Sequence, residues 1–337
     1  MRAASSTFLA FIGALAGTAP RAAAQGKSPI GDTTVEQVQA ALEGAYGIHA
    51  GQRRNHAKGT CAEGSFVGAP SASAYSRSSL FSGRKVTVVA RFSLAGGDPN
   101  AADTDRSPRG LGLEFRLPHG SLQHMTMINT PMFFAATPRT FLDKMLALKP
   151  NPATGKPDPQ ALAAFAASHP DSAGQGAFLA QHNPPASYAT ESYYGIHTFK
   201  LIAKDGKTTL VRWRFTPHGG EQRLSDEELT SKPSSFLEKE LIKRTARGPV
   251  LWDMWIAIGQ RGDPEDDPTR VWPPDRKEVK AGTLTIPSAM KQPGASCERI
   301  NYDPLILSDG FAPTNDPILL FRSPSYAESF ARRLAGQ

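Results

Sequence analysis

Arg53-Arg54-Asn55-His56-Ala57-Lys58-Gly59 places one histidine in a short polar run, with a guanidinium three residues before it. Its counterpart stands near the other end of the chain: Arg322-Ser323-Pro324-Ser325-Tyr326, followed by Arg333. On a helix Arg322 and Tyr326 are four apart and Tyr326 and Arg333 seven, so all three share a face. A phenol ordinarily ionises near pH ~10. A guanidinium beside it, or a metal cation, favours the phenolate. The spacing therefore suits an anionic oxygen ligand for iron. Alone, the five-residue pattern equally describes a solvated Arg–Tyr pair, so its meaning depends on what lies between the two segments.

Between and around them the patterning is mixed. Residues 34–46 read as an amphipathic helix, with Val35, Val38, Ala41 and Leu42 on one face. Residues 85–92 are β-branched and strand-like. Residues 111–117 and 122–128 form a hairpin around Pro118-His119-Gly120. Residues 140–148 and 159–168 read as helices, the second capped by Asp158 ahead of Pro159. Strands at 197–203 and 208–215 flank an Asp205-Gly206 turn. Ser225 and Glu228 make a capping box for a helix over 225–244 that Pro233 interrupts. Strands follow at 250–260 and 281–286, separated by a Pro- and Asp-rich connection at 263–274, and a last helix is predicted from about 323 to 334. Six or more antiparallel-type strands with helices inserted between them predict an α+β fold around a β-barrel, in one domain.

Composition narrows the class. The 337 residues carry a formal charge of +7, but Lys and Arg are scattered, with no basic stripe interleaved with aromatics; this points away from nucleic acid. Arg2, an apolar run over 8–16 and Ala22-Ala23-Ala24 have the layout of a secretory signal over 1–24, too short for a membrane span. The expected mature chain, 25–337, is exported. The two cysteines, Cys61 and Cys297, read by default as two separately buried thiols, although an oxidising compartment would permit a disulfide. There is no Cys-x-x-Cys or Cys/His cluster of the kind that holds zinc or an iron–sulfur centre.

The chain resembles haem catalases over nearly its whole length beyond residue 24, in six blocks in family order. They are Arg53 to Gly59; Arg91-Phe92-Ser93 with Ala102-Asp103-Thr104 and Arg106-Ser107-Pro108-Arg109-Gly110; Asn129-Thr130-Pro131-Met132-Phe133-Phe134; Tyr194-Gly195-Ile196-His197-Thr198-Phe199; Thr269-Arg270-Val271-Trp272-Pro273; and Asp316 through Arg333. The resemblance implies a haem cofactor, of b type. His56 matches the distal catalytic histidine and Tyr326 the proximal iron ligand. Tyrosine is the known axial ligand of catalases, so that role is inherited from the family and not deduced. Arg322 matches the arginine that holds the phenolate. His197 and Asp316 match the outer members of a chain running Asp, His, Arg, Tyr. Arg53, Arg91 and Arg333 match the arginines that pair with haem carboxylates, for which guanidinium forks are suited. Ser93 matches a serine near the distal histidine, and Phe141 an aromatic beside the haem face.

Three departures refine the expectation. An ungapped match puts Ile128 where the family has a distal asparagine. Asn129 beside it should point to the opposite face of its strand. Asn55 stands where the family usually has valine. The sequence ends shortly after Arg333, short of the family's C-terminal helical and flavodoxin-like regions. Together these resemble the catalase-related peroxidases, a minimal exported branch expected in the periplasm. The implied partners are a peroxide and a small-molecule electron donor, with the protein a monomer or small homo-oligomer and no membrane span. The alternatives are an allene oxide synthase-like hydroperoxide isomerase, an exported haem carrier, and a β-rich protein without cofactor.

Overall fold

A computed structural model describes residues 31–337; the expected signal at 1–24 lies outside the described residues. The chain enters through helix α1 (Val35–Tyr46), closed by a capping box between Thr34 and Gln37. Strands β1 (Gly59–Gly68), β2 (Lys85–Leu94), β3 (Arg109–Arg116) and β4 (Leu122–Ile128) then form an antiparallel meander. Three helices follow: α2 (Pro138–Ala147), α3 (Pro159–Ser168) and α4 (Ala173–Gln181). Strands β5 (Tyr193–Tyr194), β6 (Phe199–Ile202) and β7 (Thr208–Pro217) precede helices α5 (Asp226–Ser231) and α6 (Leu237–Thr245). The chain ends with β8 (Val250–Ile258), β9 (Glu278–Lys291), β10 (Phe311–Pro313) and α7 (Pro317–Leu334).

The sheet closes on itself. Going round, the order is β1, β2, β3, β4, β5, β7, β8, β9 and back to β1, with β6 and β10 extending from β7. This is the expected α+β architecture with an antiparallel barrel. The interior is filled by aromatic rings: Phe66 lies 5.3 Å from Phe115 and 6.4 Å from Phe215, and Phe92 lies 5.8 Å from Trp252. The barrel is therefore a packed core and not a pore. Truncating Trp252, which is fully buried, is of the class that costs about 3–5 kcal/mol.

Side chains alternate across the strands. Ala90, Phe92, Leu111, Leu113, Met125 and Met127 are buried among the core residues. Their neighbours Arg91, Ser93, Gly110, Gly112, Thr126 and Ile128 point the other way. The register arranges these six into two rungs, Ser93–Gly110–Ile128 and Arg91–Gly112–Thr126. Helices α1, α2 and α7 pack together over that outer face, through Val38, Leu42, Leu142, Met145, Ile318 and Phe321.

Two expectations are corrected. The last helix starts at Pro317, not near 323. Asp316 caps it by accepting from the amides of Ile318 (2.9 Å) and Leu319 (3.1 Å), and the helix runs through Pro324. The two cysteines are not separate thiols: Cys61 and Cys297 form a disulfide, with Cα atoms 5.5 Å apart across 236 residues of sequence. The fold brings β1 against the turn at residues 296–299, a proximity that residue spacing does not reveal.

Candidate active site

Between the two rungs and the three helices lies a cavity of about 190 Å³. One buried water needs only about 10–15 Å³, so this space suits a much larger guest. Nine of the ten expected site residues line it: Arg53, His56, Arg91, Ser93, Phe141, His197, Arg322, Tyr326 and Arg333. The tenth, Asp316, sits one hydrogen bond behind His197.

His56 lies in the turn between α1 and β1 with φ +55°, a left-handed conformation rare for a side-chain-bearing residue. That conformation costs about 1–2 kcal/mol in an ordinary residue. The imidazole Nδ1 is 3.0 Å from Ser93 Oγ. Gly110 is required beneath the pair: a Cβ there would stand 2.6 Å from Ser93 Oγ and 2.8 Å from His56 Nδ1. Burial, followed by the charges of Arg91, Arg322 and Arg53, pushes the His56 pKa down to about 3. The imidazole is thus a free base at neutral pH.

Across the cavity, α7 presents Arg322, Tyr326 and Arg333. Arg322 Nη2 donates to the Tyr326 hydroxyl (2.6 Å) and to Thr126 Oγ1 (2.8 Å). His197 Nδ1 is 2.6 Å from Asp316 Oδ2, while its Nε2 is buried without a partner among the described residues. Burial lowers the His197 pKa and Asp316 opposes that shift. The expected Asp–His–Arg–Tyr chain therefore stands as two hydrogen-bonded pairs, Asp316–His197 and Arg322–Tyr326, without the middle link.

Arg53, Arg91 and Arg333 line the cavity, and the acceptors that Arg53 and Arg91 meet are neutral. Arg53 Nη2 donates to the carbonyl of Ile300 (2.9 Å) and, at longer range, to those of Cys297 and Glu298. Arg91 donates to Gln292 Oε1 (2.7 Å) and the Ala57 carbonyl (3.0 Å). Arg333 Nη1 is buried without a partner among the described residues. Burial lowers the pKa of all three, and Arg91 and Arg333 lower that of Arg53 further. Among the described residues no carboxylate pairs with any of them. A cluster of this kind calls for an anionic guest.

The residues fit haem. The cavity is faced by Phe141, which stacks with Phe134 at 5.4 Å, and the phenol of Tyr326 lines it, an oxygen of the kind that can ligate iron. Unpaired guanidinium groups stand ready for two carboxylates.

On the distal wall, Ile128 lines the cavity, as the match implied. The amide of Asn129 is engaged elsewhere: Oδ1 accepts from the Arg109 amide (2.7 Å) and Nδ2 donates to Glu191 (3.1 Å). Asn129 therefore does not replace the missing amide. Sequence reasoning missed Thr126, Gly110, Gly112, Gln292 and Tyr302. For Thr126 a signal was present, because it lies two residues before Ile128 on one strand face.

Comparison with known proteins agrees with this geometry. The family model described as "Catalase" matches residues 23–337. A "Catalase-related peroxidase" of Synechococcus elongatus is 56% identical over 90% of this chain and 89% of its own. A "Catalase-related peroxidase" of Mycolicibacterium paratuberculosis is 33% identical over 90% of this chain and 96% of its own. Among solved structures, catalase A from Saccharomyces cerevisiae superposes with a TM-score of 0.77 at 25% identity, covering 85% of this chain. The chain spans about three fifths of that catalase, 62% of its length.

Proposed function

Because the chain belongs to the catalase family, we propose that it is a haem-dependent peroxidase that reduces hydrogen peroxide or organic hydroperoxides with an external electron donor. One observation carries this reading: His56 and Tyr326, 270 residues apart, line one cavity edged by three arginines without acidic partners. The names of the two similar relatives support the peroxidase branch.

Haem, of b type, would be held by Tyr326 at the iron, by Arg53, Arg91 and Arg333 at its carboxylates, and by Phe141 against its face. When bound, it supplies an iron centre that takes up the oxidising equivalents of peroxide. The protein's own groups do the rest. In the tautomer whose Nδ1–H donates to Ser93 Oγ, His56 keeps Nε2 as the free base. It takes the proton from the inner peroxide oxygen and delivers it to the outer one, which leaves as water from hydrogen peroxide or as an alcohol from an organic hydroperoxide. Arg322 donates to the Tyr326 oxygen, and Thr126 accepts from the same guanidinium nitrogen and so steadies the arginine.

Ile128 offers no hydrogen bond, so a second hydrogen peroxide is poorly oriented for disproportionation. The apolar wall of Ile128, Phe133 and Phe141 favours bulkier hydroperoxides and organic donors. Peroxidase turnover should therefore exceed catalase turnover.

Visible spectra of the purified protein and of Tyr326→Phe, with initial rates of donor oxidation and oxygen release, test the reading. A Soret band with high-spin ferric features that Tyr326→Phe disturbs, with donor oxidation the faster process, is expected. Absence of haem uptake, or oxygen release far outpacing donor oxidation, overturns it.

We read the mature chain as exported to the periplasm. The Cys61–Cys297 disulfide supports this, since such bonds persist mainly in oxidising compartments. Cell fractionation and N-terminal sequencing should find it outside the cytoplasm, cleaved after residue 24. Intact Met1 on a cytoplasmic protein contradicts it.

A further inference from the structure

The side chain of Asn55 carries more than its place in a polar run suggests. Its Oδ1 accepts from two backbone amides at once, that of His56 (2.9 Å) and that of Gly96 (2.8 Å). On the other side of His56, the Ala57 amide donates to the Gly96 carbonyl (3.0 Å). Both polar groups of one residue, Gly96, thus grip the two residues that flank His56. The clamp encloses the one left-handed residue of the site, whose imidazole is seated on Ser93 Oγ and against Gly110.

We propose that Asn55 is the positioning residue of the distal base: its carboxamide oxygen holds His56 in the left-handed backbone conformation that aims the imidazole into the cavity. The inference rests on the haem-peroxidase reading above. Valine, the residue usual for the family here, has no acceptor, so this chain uses a different way to fix the histidine. Without the oxygen, the amides of His56 and Gly96 lose their acceptor. The backbone then relaxes toward the commoner region and the imidazole leaves its seat.

Cyanide is a suitable probe, because its acid form must give up a proton to a distal base as the anion binds. Association rates across pH would be measured on haem-loaded wild type, His56→Ala, Asn55→Ala and Asn55→Asp, together with Soret intensity and the rate of haem loss. Asn55→Ala should slow cyanide association about tenfold or more, approaching His56→Ala, with haem content and haem loss unchanged. Asn55→Asp, which keeps an acceptor oxygen, should recover most of the rate. Wild-type rates in haem-loaded Asn55→Ala overturn the proposal. If His56→Ala itself binds cyanide as fast as wild type, the role of His56 falls as well, a separate and recognisable failure. Hydrogen exchange on the wild-type protein needs no variant: the amides of His56 and Gly96 should be protected, and exchange of both at unprotected rates overturns the clamp.

Discussion

Asp316 serves two elements at once: Oδ2 lies 2.6 Å from His197 Nδ1, and Oδ1 caps the helix that carries Arg322 and Tyr326. Both partners are buried, with Asp316 only 1% exposed. Removing the carboxylate strips an N-cap, worth about 1 kcal/mol. It also strips what is, among the described residues, the one hydrogen-bond partner of a buried imidazole, worth about 1–3 kcal/mol. Asp316→Ala should therefore lose about 2–4 kcal/mol of stability by denaturant titration and retain haem poorly. Asp316→Asn, which keeps the cap oxygen, should lose less.

The depressed pKa of His56 has a definite pH signature. In the unfolded chain the imidazole takes a proton near 6.5, whereas in the fold it does so only near 3. Above 6.5 both states are neutral and stability is flat. As pH falls from 6.5 toward 3, the unfolded state gains a proton that the folded state refuses, so stability declines. The full shift corresponds to about 5 kcal/mol, an upper figure reached only when the folded histidine is itself protonated. Unfolding of the haem-free protein at pH 7, 5 and 4 should show this decline, and His56→Gln should flatten it. An acid limb of peroxide turnover lying well below pH 6.5 is the matching kinetic outcome.

Ile128→Asn places an amide in the distal wall while leaving its strand pairing to Gly110 intact. Oxygen release from hydrogen peroxide should rise several-fold relative to donor oxidation. An unchanged ratio in a correctly folded, haem-loaded variant would remove Ile128 as the cause of the bias.

The disulfide bears on the cavity as well as on stability. Arg53 is seated on the carbonyls of residues 297, 298 and 300, next to Cys297 itself. Cys297→Ser should cost about 5 kcal/mol by the loop-closure relation, an upper figure since the unfolded chain retains structure. It should also speed haem loss. Denaturant midpoints with and without reductant, compared between wild type and variant, measure the first effect.

Much of the fold was legible because long segments carried strong local signals. The Ser225–Glu228 capping box, the Asp158-Pro159 start and the Asp205-Gly206 turn each stand where the residues place them. The site was legible through family resemblance more than through chemistry, since a scattered set of arginines acquires meaning only when the rungs of β2, β3 and β4 align them. Strand β1 escaped notice because its glycines and alanine have little strand preference. Gly64 is there because its backbone meets Thr285 of β9 directly, a tertiary demand without local trace. The start of α7 lies earlier than expected because the helix runs through Pro324, and Asp316-Pro317 repeats the signal of Asp158-Pro159. The disulfide and the missing His197–Arg322 link depend on distances between remote segments, which no local pattern encodes.

The bond between Cys61 and Cys297 also imposes an order on biosynthesis. A growing polypeptide cannot make that crosslink until the 236 residues that separate Cys297 from Cys61 have been synthesised. The carbonyl seat for Arg53 is therefore completed long after Arg53 itself has been made. Cofactor capture that relies on that arginine must then be a late step of maturation, open to competition from premature thiol oxidation.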